Sequence, residues 1–104
     1  MNDNEQKVVD DLKERLETIM TSFLFKPYDM AMEEATTSVN QMLAEELVLE
    51  HIYDYAVVCD KSNNPPTEQK NGMLKLDICV KVEPIGEFIF IPILLHGTTG
   101  NQEW

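Results

Sequence analysis

Residues 74–82 read LKLDICVKV, and this stretch decides the fold class. Every second residue is apolar, while Lys75, Asp77, Cys79 and Lys81 stand between the apolar positions. A period of two is typical of a β-strand with one buried face and one wetter face. Residues 53–60, YDYAVVCD, alternate in the same way and predict an earlier strand. The sequence therefore predicts a sheet in its second half.

A third strand is predicted at 87–95, EFIFIPILL, which is apolar on both faces. We expect both faces to be covered, because a bare apolar strand invites aggregation. Two alternatives can provide this cover: a partner chain, or the two helices described next. Pro92 lacks an N–H group and predicts an edge strand or a bulge. Glu83-Pro84-Ile85-Gly86 fits a tight turn before this strand.

The first half of the chain predicts two amphipathic helices. The first covers 3–24, with Asp3 and Gln6 as a capping box and an apolar stripe at Val8, Leu12, Leu16, Ile19 and Phe23. The second runs from about Met30 to Leu49, with Asp29 as its N-cap and a stripe at Met32, Ala35, Val39, Met42, Leu43 and Leu47.

The predicted fold class is therefore α+β, with two N-terminal helices packed on a small three-stranded, mainly antiparallel sheet. The 104 residues allow a single domain over 1–104. Residues 61–72 are predicted as a polar loop, because Asn63-Asn64-Pro65-Pro66 breaks regular structure. Residues 96–104 are predicted as a polar tail, because they are polar and include two glycines.

The chain is acidic, with 19 Asp and Glu against 8 Lys and Arg, a formal net charge of −11. This charge argues against nucleic acid and anionic membranes as partners, since both would repel it. The first residues, MNDNEQK, lack the basic start of a signal peptide, and the apolar run 88–95 is too short to span a membrane. Two cysteines, Cys59 and Cys79, are too few for a disulfide framework and predict free thiols in an intracellular, reducing compartment.

No pattern of reactive residues predicts an enzyme. His51 and His96 stand outside any metal-ligand spacing, although His51 could pair with the adjacent Glu50. Residues 60–64, DKSNN, begin like a calcium loop, but Pro65 stands at the glycine position and Asn71 at the bidentate Glu position. A phosphate-binding glycine loop and a zinc pattern are also missing from the sequence. We therefore expect no catalytic residue, no cofactor and no metal.

An ordered series of short motifs resembles the C-terminal domain of contractile-tail sheath proteins. The most specific is YAVVCDKSNN at 55–64, followed by two prolines. A corner FKPYD at 25–29 separates the two predicted helices, and EFI at 87–89 opens the last strand. The second strand, 71–82, also matches at Asp77, Ile78 and Lys81, and TTG follows at 98–100. The resemblance spans roughly residues 8–100.

A free-standing copy of this domain resembles the sheath initiator, a small baseplate protein related in fold to the sheath's C-terminal domain. The Glu-Pro-Arg motif common among initiators does not occur in the chain. The resemblance implies a virion structural protein of a contractile phage tail, made in the host cytoplasm. Its implied partners are tail sheath subunits and neighbouring baseplate or tube proteins, in a ring-forming assembly.

The resemblance also implies a mechanism, because sheath C-terminal domains join by strand exchange. Extended arms of neighbouring subunits add to a small sheet, which is β-augmentation. The residues where we expect interface contacts are Asn63, Asn64, Pro65, Pro66, Leu74, Leu76, Ile78, Phe88 and Phe90. For each of them, an ordinary role in the core or in a turn is the alternative. For Asn63 and Asn64 that role is to fix the loop through hydrogen bonds from the side chain to the backbone.

Two other functions remain open from the sequence. One is a tail sheath protein, or a fragment of one, that forms many rings. The other is an acidic adaptor or inhibitor whose negative helices bind a basic partner.

Overall fold

Two helices precede a three-stranded sheet in the computed structural model, which describes residues 3–23, 26–70 and 72–96. The elements in chain order are α1 (Asp3–Thr21), α2 (Tyr28–Val48), β1 (Asp54–Val58), α3 (Pro66–Lys70), β2 (Met73–Lys81) and β3 (Ile89–His96). The sheet order is β1-β2-β3, and both pairs are antiparallel. The predicted α+β class, with two N-terminal helices on a small antiparallel sheet, is confirmed.

The strand that decided the fold class, β2, is the central strand of the sheet. Its register places Val57 of β1 and Ile91 of β3 on either side of Ile78. The alternate residues of β2 are fully buried, namely Leu74, Leu76, Ile78 and Val80. The period-two pattern of the sequence is therefore the pattern of burial.

The helices cover one face of the sheet. Helix α1 packs against β3 and α2, while α2 packs against β1. Leu12 and Leu16 of α1 and Val39 and Leu43 of α2 are buried with the β2 row in one core. Most residues of the predicted apolar stripes thus face the sheet, and the intervening charged residues of the helices are mostly exposed.

Neither α1 nor α2 packs on the opposite face of the sheet, which we call the open face; the short helix α3 contacts β2 through the pair of Glu68 with Lys75. The open face carries Ala56 and Val58 of β1, Cys79 of β2, and Phe90 and Leu94 of β3. Phe90 keeps 59% of its surface exposed. Of the two coverings considered for the last strand, the two helices alone are therefore excluded, because both lie on the other side of the sheet. Cover by a partner chain stays a prediction. Pro92 stands on an edge strand, as predicted.

Two local predictions at the starts of the helices are wrong. Gln6 donates to Asp10 Oδ1 at 2.8 Å, four residues on, and does not close a capping box with Asp3. Helix α2 begins earlier than predicted, with Pro27 at its N-cap position and no side-chain capping bond. Asp29 lies inside the first turn, where the helix dipole favours its carboxylate.

The predicted loop 61–72 contains the short helix α3. Pro66 is its first residue, where a missing N–H group costs nothing and a fixed φ favours the helix. The break in regular structure predicted at Pro65-Pro66 is therefore the start of a short helix. His96 of the predicted tail ends β3, whereas 97–104, and Phe25 of the corner motif, lie outside the described residues.

The two free thiols lie on opposite faces of the sheet. Cys59 follows β1 on the helix side and is buried, whereas Cys79 is half-buried on the open face. Burial, with the charges of Asp60 and Asp77 adding to it, raises the pKa of the Cys59 thiol to about 12. None of the helices in the described ranges is long and apolar enough to cross a membrane.

Thiol labelling with N-ethylmaleimide at pH 8 tests which face of the sheet is covered. The thiolate is the nucleophile that adds to the maleimide, and a pKa near 12 keeps almost all of Cys59 protonated at this pH. We expect one thiol of the native chain to react promptly and the second at least about a hundredfold more slowly. The Cys79→Ser variant removes the prompt reaction. Prompt labelling of native Cys79→Ser would show that the helix side of the sheet is open.

Candidate interface at the Asn63–Asn64 loop and the sheet edges

Asn64 is a fully buried polar residue that pairs with the backbone of β2. The N–H of Lys75 donates to Asn64 Oδ1 at 2.7 Å, and Asn64 Nδ2 donates to the Lys75 carbonyl at 3.0 Å. One side-chain amide thus makes the two hydrogen bonds that a neighbouring strand residue would make. It does so beyond Val58, where β1 has ended.

Asn63 ties the end of β1 to the open face. Its Nδ2 donates to the Val58 carbonyl at 2.9 Å and to Asp77 Oδ2 at 3.0 Å, and its Oδ1 accepts from the Asp60 N–H at 2.9 Å. Both Asn side chains therefore bond to the backbone around them, as predicted for turn asparagines. These bonds hold the loop in place.

Asp60 closes the same loop from the other end. The Ser62 hydroxyl donates to Asp60 Oδ1 at 2.5 Å, and the Ser62 N–H donates to the same oxygen at 2.8 Å. These hydrogen bonds favour the charged form and hold the pKa of the Asp60 carboxyl below its usual value. Asp60 is therefore an ionised, exposed carboxylate at neutral pH.

The two prolines lead into α3, which is fastened to β2. The Pro65 carbonyl accepts from the Glu68 N–H at 2.9 Å, and Lys75 Nζ lies 2.6 Å from Glu68 Oε1. Pro65 is half-buried and Pro66 is exposed. Of the four predicted loop contacts, Pro66 presents the most accessible side chain and Asn64 presents none.

The structure separates the other predicted interface residues into two groups. Leu74, Leu76 and Ile78 are fully buried in the core of the chain itself. Their strand is paired on both sides, so it has no edge to offer a partner. Phe88 and Phe90 are exposed, and Lys81 Nζ lies 5.3 Å from the centre of the Phe88 ring.

The sheet ends in two outer edges that no described strand pairs with, those of β1 and β3. Strand β1 has five residues and contains no proline. Strand β3 has eight residues and contains Pro92 at its fourth position. Unpaired N–H and C=O groups on an outer strand are the groups that another chain can bond to.

One polar cluster was missed by the sequence reasoning. Glu46 of α2 is 8% exposed, and its Oε1 lies 3.1 Å from Arg15 Nη1 and 3.2 Å from His51 Nδ1. His51 thus contacts Glu46, although the sequence had suggested Glu50. The sequence does indicate that Glu46 is buried, because it follows Val39 and Leu43 at the helical spacing of the apolar stripe. A carboxylate at that position needs partners when it is buried.

The described residues contain no group of three or more His, Cys, Asp or Glu side chains able to hold a metal ion. The site consists of a loop held by hydrogen bonds and two strand edges. Such a site can form backbone hydrogen bonds and apolar contacts with another chain.

Comparisons with protein-family models, with curated proteins and with solved structures find no match for this chain.

Replacing Asn64 tests whether its amide supports the sheet. Asn64→Ala leaves the N–H of Lys75 without a partner and its C=O with only the long bond from Asn63 Nδ2 at 3.5 Å, so we expect the free energy of unfolding to fall by about 2–3 kcal/mol. Urea unfolding followed by circular dichroism measures the change. The matched control is Asn40→Ala on α2, which removes one local bond to the Thr36 carbonyl and is expected to cost less than about 1 kcal/mol. Equal losses in the two variants would contradict the role assigned to Asn64.

Proposed function

We propose that the chain is a structural subunit of a contractile phage tail, a sheath-initiator-like baseplate protein that joins sheath subunits by β-strand augmentation. The proposal rests first on the sequence resemblance to sheath C-terminal domains. The geometry that supports it is the three-stranded antiparallel sheet whose two outer strands have no partner among the described residues.

Augmentation needs a rigid sheet with an accessible edge, because the incoming strand gains its affinity from main-chain hydrogen bonds. The rigidity comes from β2, which is paired on both sides and buried on one face. The Asn64 amide extends this support past the end of β1 by bonding to Lys75. An added strand would therefore join a sheet whose backbone is already held in place.

The open face supports the same proposal. Phe88, Phe90 and Leu94 stand at alternate positions along the edge strand or just before it, with Pro92 between the last two, and each is more than a third exposed. Apolar residues that line up on an uncovered sheet face favour contact with another protein. A neighbouring subunit that adds a strand would also cover this row. Phe88 and Phe90 accordingly remain interface residues in the proposal, whereas Leu74, Leu76 and Ile78 support it from the core.

A second candidate, the acidic adaptor, is favoured by one observation. Asp10, Asp11 and Glu14 are exposed on α1, away from the sheet. A basic partner would bind there through charge. Such a protein would not need its sheet edges, and it would not be a component of a tail.

Quantitative mass spectrometry of purified contractile tails tests the proposal. The measured quantity is the number of copies of this chain per tail relative to the tube protein. We expect the number of subunits in one ring, because an initiator occupies one level of the baseplate. Empty capsids from the same lysate serve as the control for adventitious association.

Each other result has a defined meaning. A copy number of many rings would make the chain a component of the sheath, with the same fold and mechanism. Absence from intact tails would contradict both tail functions and leave the acidic adaptor.

A further inference from the structure

An open groove of about 490 Å³ runs between the end of β1 and the first turns of α2. Its lining comes from α2, from the last residues of the β1 segment and from Asp60 and Lys61. The hydroxyl of Thr36 donates to the Met32 carbonyl at 2.8 Å and also lies 3.3 Å from the Cys59 carbonyl, so the two walls are in contact. The groove therefore lies on the helix side of the sheet, directly beside β1.

The outer edge of β1 has no partner among the described strands. A strand added to this edge would continue the sheet, and its side chains would alternate between the open face and the helix side. Val57 and Cys59, which point to the helix side, line the groove. Every second side chain of an added strand would therefore point toward the groove.

The groove has an apolar floor and an acidic rim. Met32, Val57 and Cys59 provide the apolar surface. Asp29, Glu33 and Asp60 provide three carboxylates, against the single ammonium group of Lys61. Asp29 and Glu33 are four residues apart on α2 and so share one side of the helix.

Lysine and arginine are the side chains that fit both parts of this lining. Their aliphatic stems pack on apolar surface while the cationic heads stay near carboxylates and water. The carboxylate of Asp60 is fixed by the two bonds that Ser62 donates to its Oδ1, so it keeps its place and its charge. Acidic side chains at the same positions would be repelled.

The edge of β1 is also better suited to pairing than that of β3. Pro92 lies in the middle of β3 and removes one backbone donor, which is a common protection of edge strands. Strand β1 has no proline and no lysine, and its one charged residue is Asp54 at its start. The Asp54 carboxylate accepts from the Tyr55 N–H at 2.8 Å, so an added strand would exchange that local bond for one of its own or pair from Val57 onward.

We propose that the outer edge of β1 binds an extended segment of a partner chain, and that this segment carries Lys or Arg at alternate positions that enter the groove between β1 and α2. The inference rests on the proposed function, since it names the edge and the chemistry of the arm that β-strand augmentation would use. The partner is a protein segment that is basic where this chain is acidic.

Titration of the full ¹⁵N-labelled chain with synthetic peptides tests the inference. The probe is a peptide of about ten residues with Lys at every second position and Thr or Val between, a usual strand length. A second peptide carries Glu in place of Lys. We expect the basic peptide to shift the amide signals of Asp54–Val58 and of the groove residues, with affinity that falls as salt is added. The acidic peptide is expected to bind at least about tenfold more weakly.

Because the whole chain is acidic, a matched pair of variants separates the groove from general attraction. Asp29→Asn with Glu33→Gln removes two charges from the groove, and we expect the basic peptide to bind about three- to tenfold more weakly. Asp10→Asn with Glu14→Gln removes two charges from the exposed side of α1. This control is expected to change the affinity by less than about twofold.

A pair of N-methylated peptides tests strand pairing itself. An edge strand bonds only to alternate amides of its neighbour. Methylation of one alternate set of peptide nitrogens should therefore abolish binding, while methylation of the other set should preserve it.

Several results would overturn the inference: no shift in β1 at peptide concentrations of about 1 mM, equal losses in the two double variants, or shifts that map to β3. Peptide binding is measured on the isolated chain, so its outcome is separate from the copy number in tails. Absence from tails with a positive titration would overturn the proposed function alone. Presence in tails with a negative titration would overturn only the assignment of edge and charge.

Discussion

The structure depends on the position of β2 in the middle of the sheet. Its four apolar residues Leu74, Leu76, Ile78 and Val80 are fully buried, and each of their backbone neighbours belongs to β1, β3 or the loop that carries Asn64. Two helices are enough to cover one face of three strands, so the other face stays open. A central strand paired on both sides also moves every unpaired backbone group of the sheet to its two outer edges. The core, the open face and the edges therefore all follow from one arrangement.

The loop after β1 bonds to backbone groups of β2 that β1 itself does not reach. Strand β1 ends at Val58, yet β2 continues beside it to Met73, and the backbone of Lys75 still needs partners. The Asn64 amide provides them, and the Lys75 side chain reaches Glu68 of α3. The residues that gave the most specific sequence resemblance thus have a structural role that is visible in the hydrogen bonds. Such a role is compatible with an interface nearby, because a fixed loop beside a strand edge keeps that edge in place.

Much of the fold could be predicted from the sequence, because burial of one face of an element requires apolar residues at regular spacing. The alternation in 74–82 and the helical stripes through Leu16 and Val39 are patterns of this kind. What could not be predicted depends on contacts that are distant in sequence. Glu46 is buried where Arg15 and His51 contact its carboxylate, and neither partner is evident from periodicity. The apolar run 87–95 indicated cover on both faces, but the number of covering elements is a property of the whole fold. For the candidate site, Asn63 and Asn64 were correctly predicted to bond to backbone, whereas the burial of Leu74, Leu76 and Ile78 required the sheet order.

The central claim is that the chain presents a sheet with a complete middle strand and two unpaired outer edges. Residue-resolved amide hydrogen exchange of the free chain tests this claim most directly. We expect slow exchange at the amides of residues 74–81 of β2, and an alternation of slow and fast amides along Ile89–His96, because only every second amide of an edge strand faces a neighbouring strand. In β1 the Tyr55 N–H already donates to Asp54 Oδ1, so the Val57 amide is the one expected to exchange fast. Uniformly slow exchange along β1 or β3 would show that its edge is already covered, and that result would contradict the account.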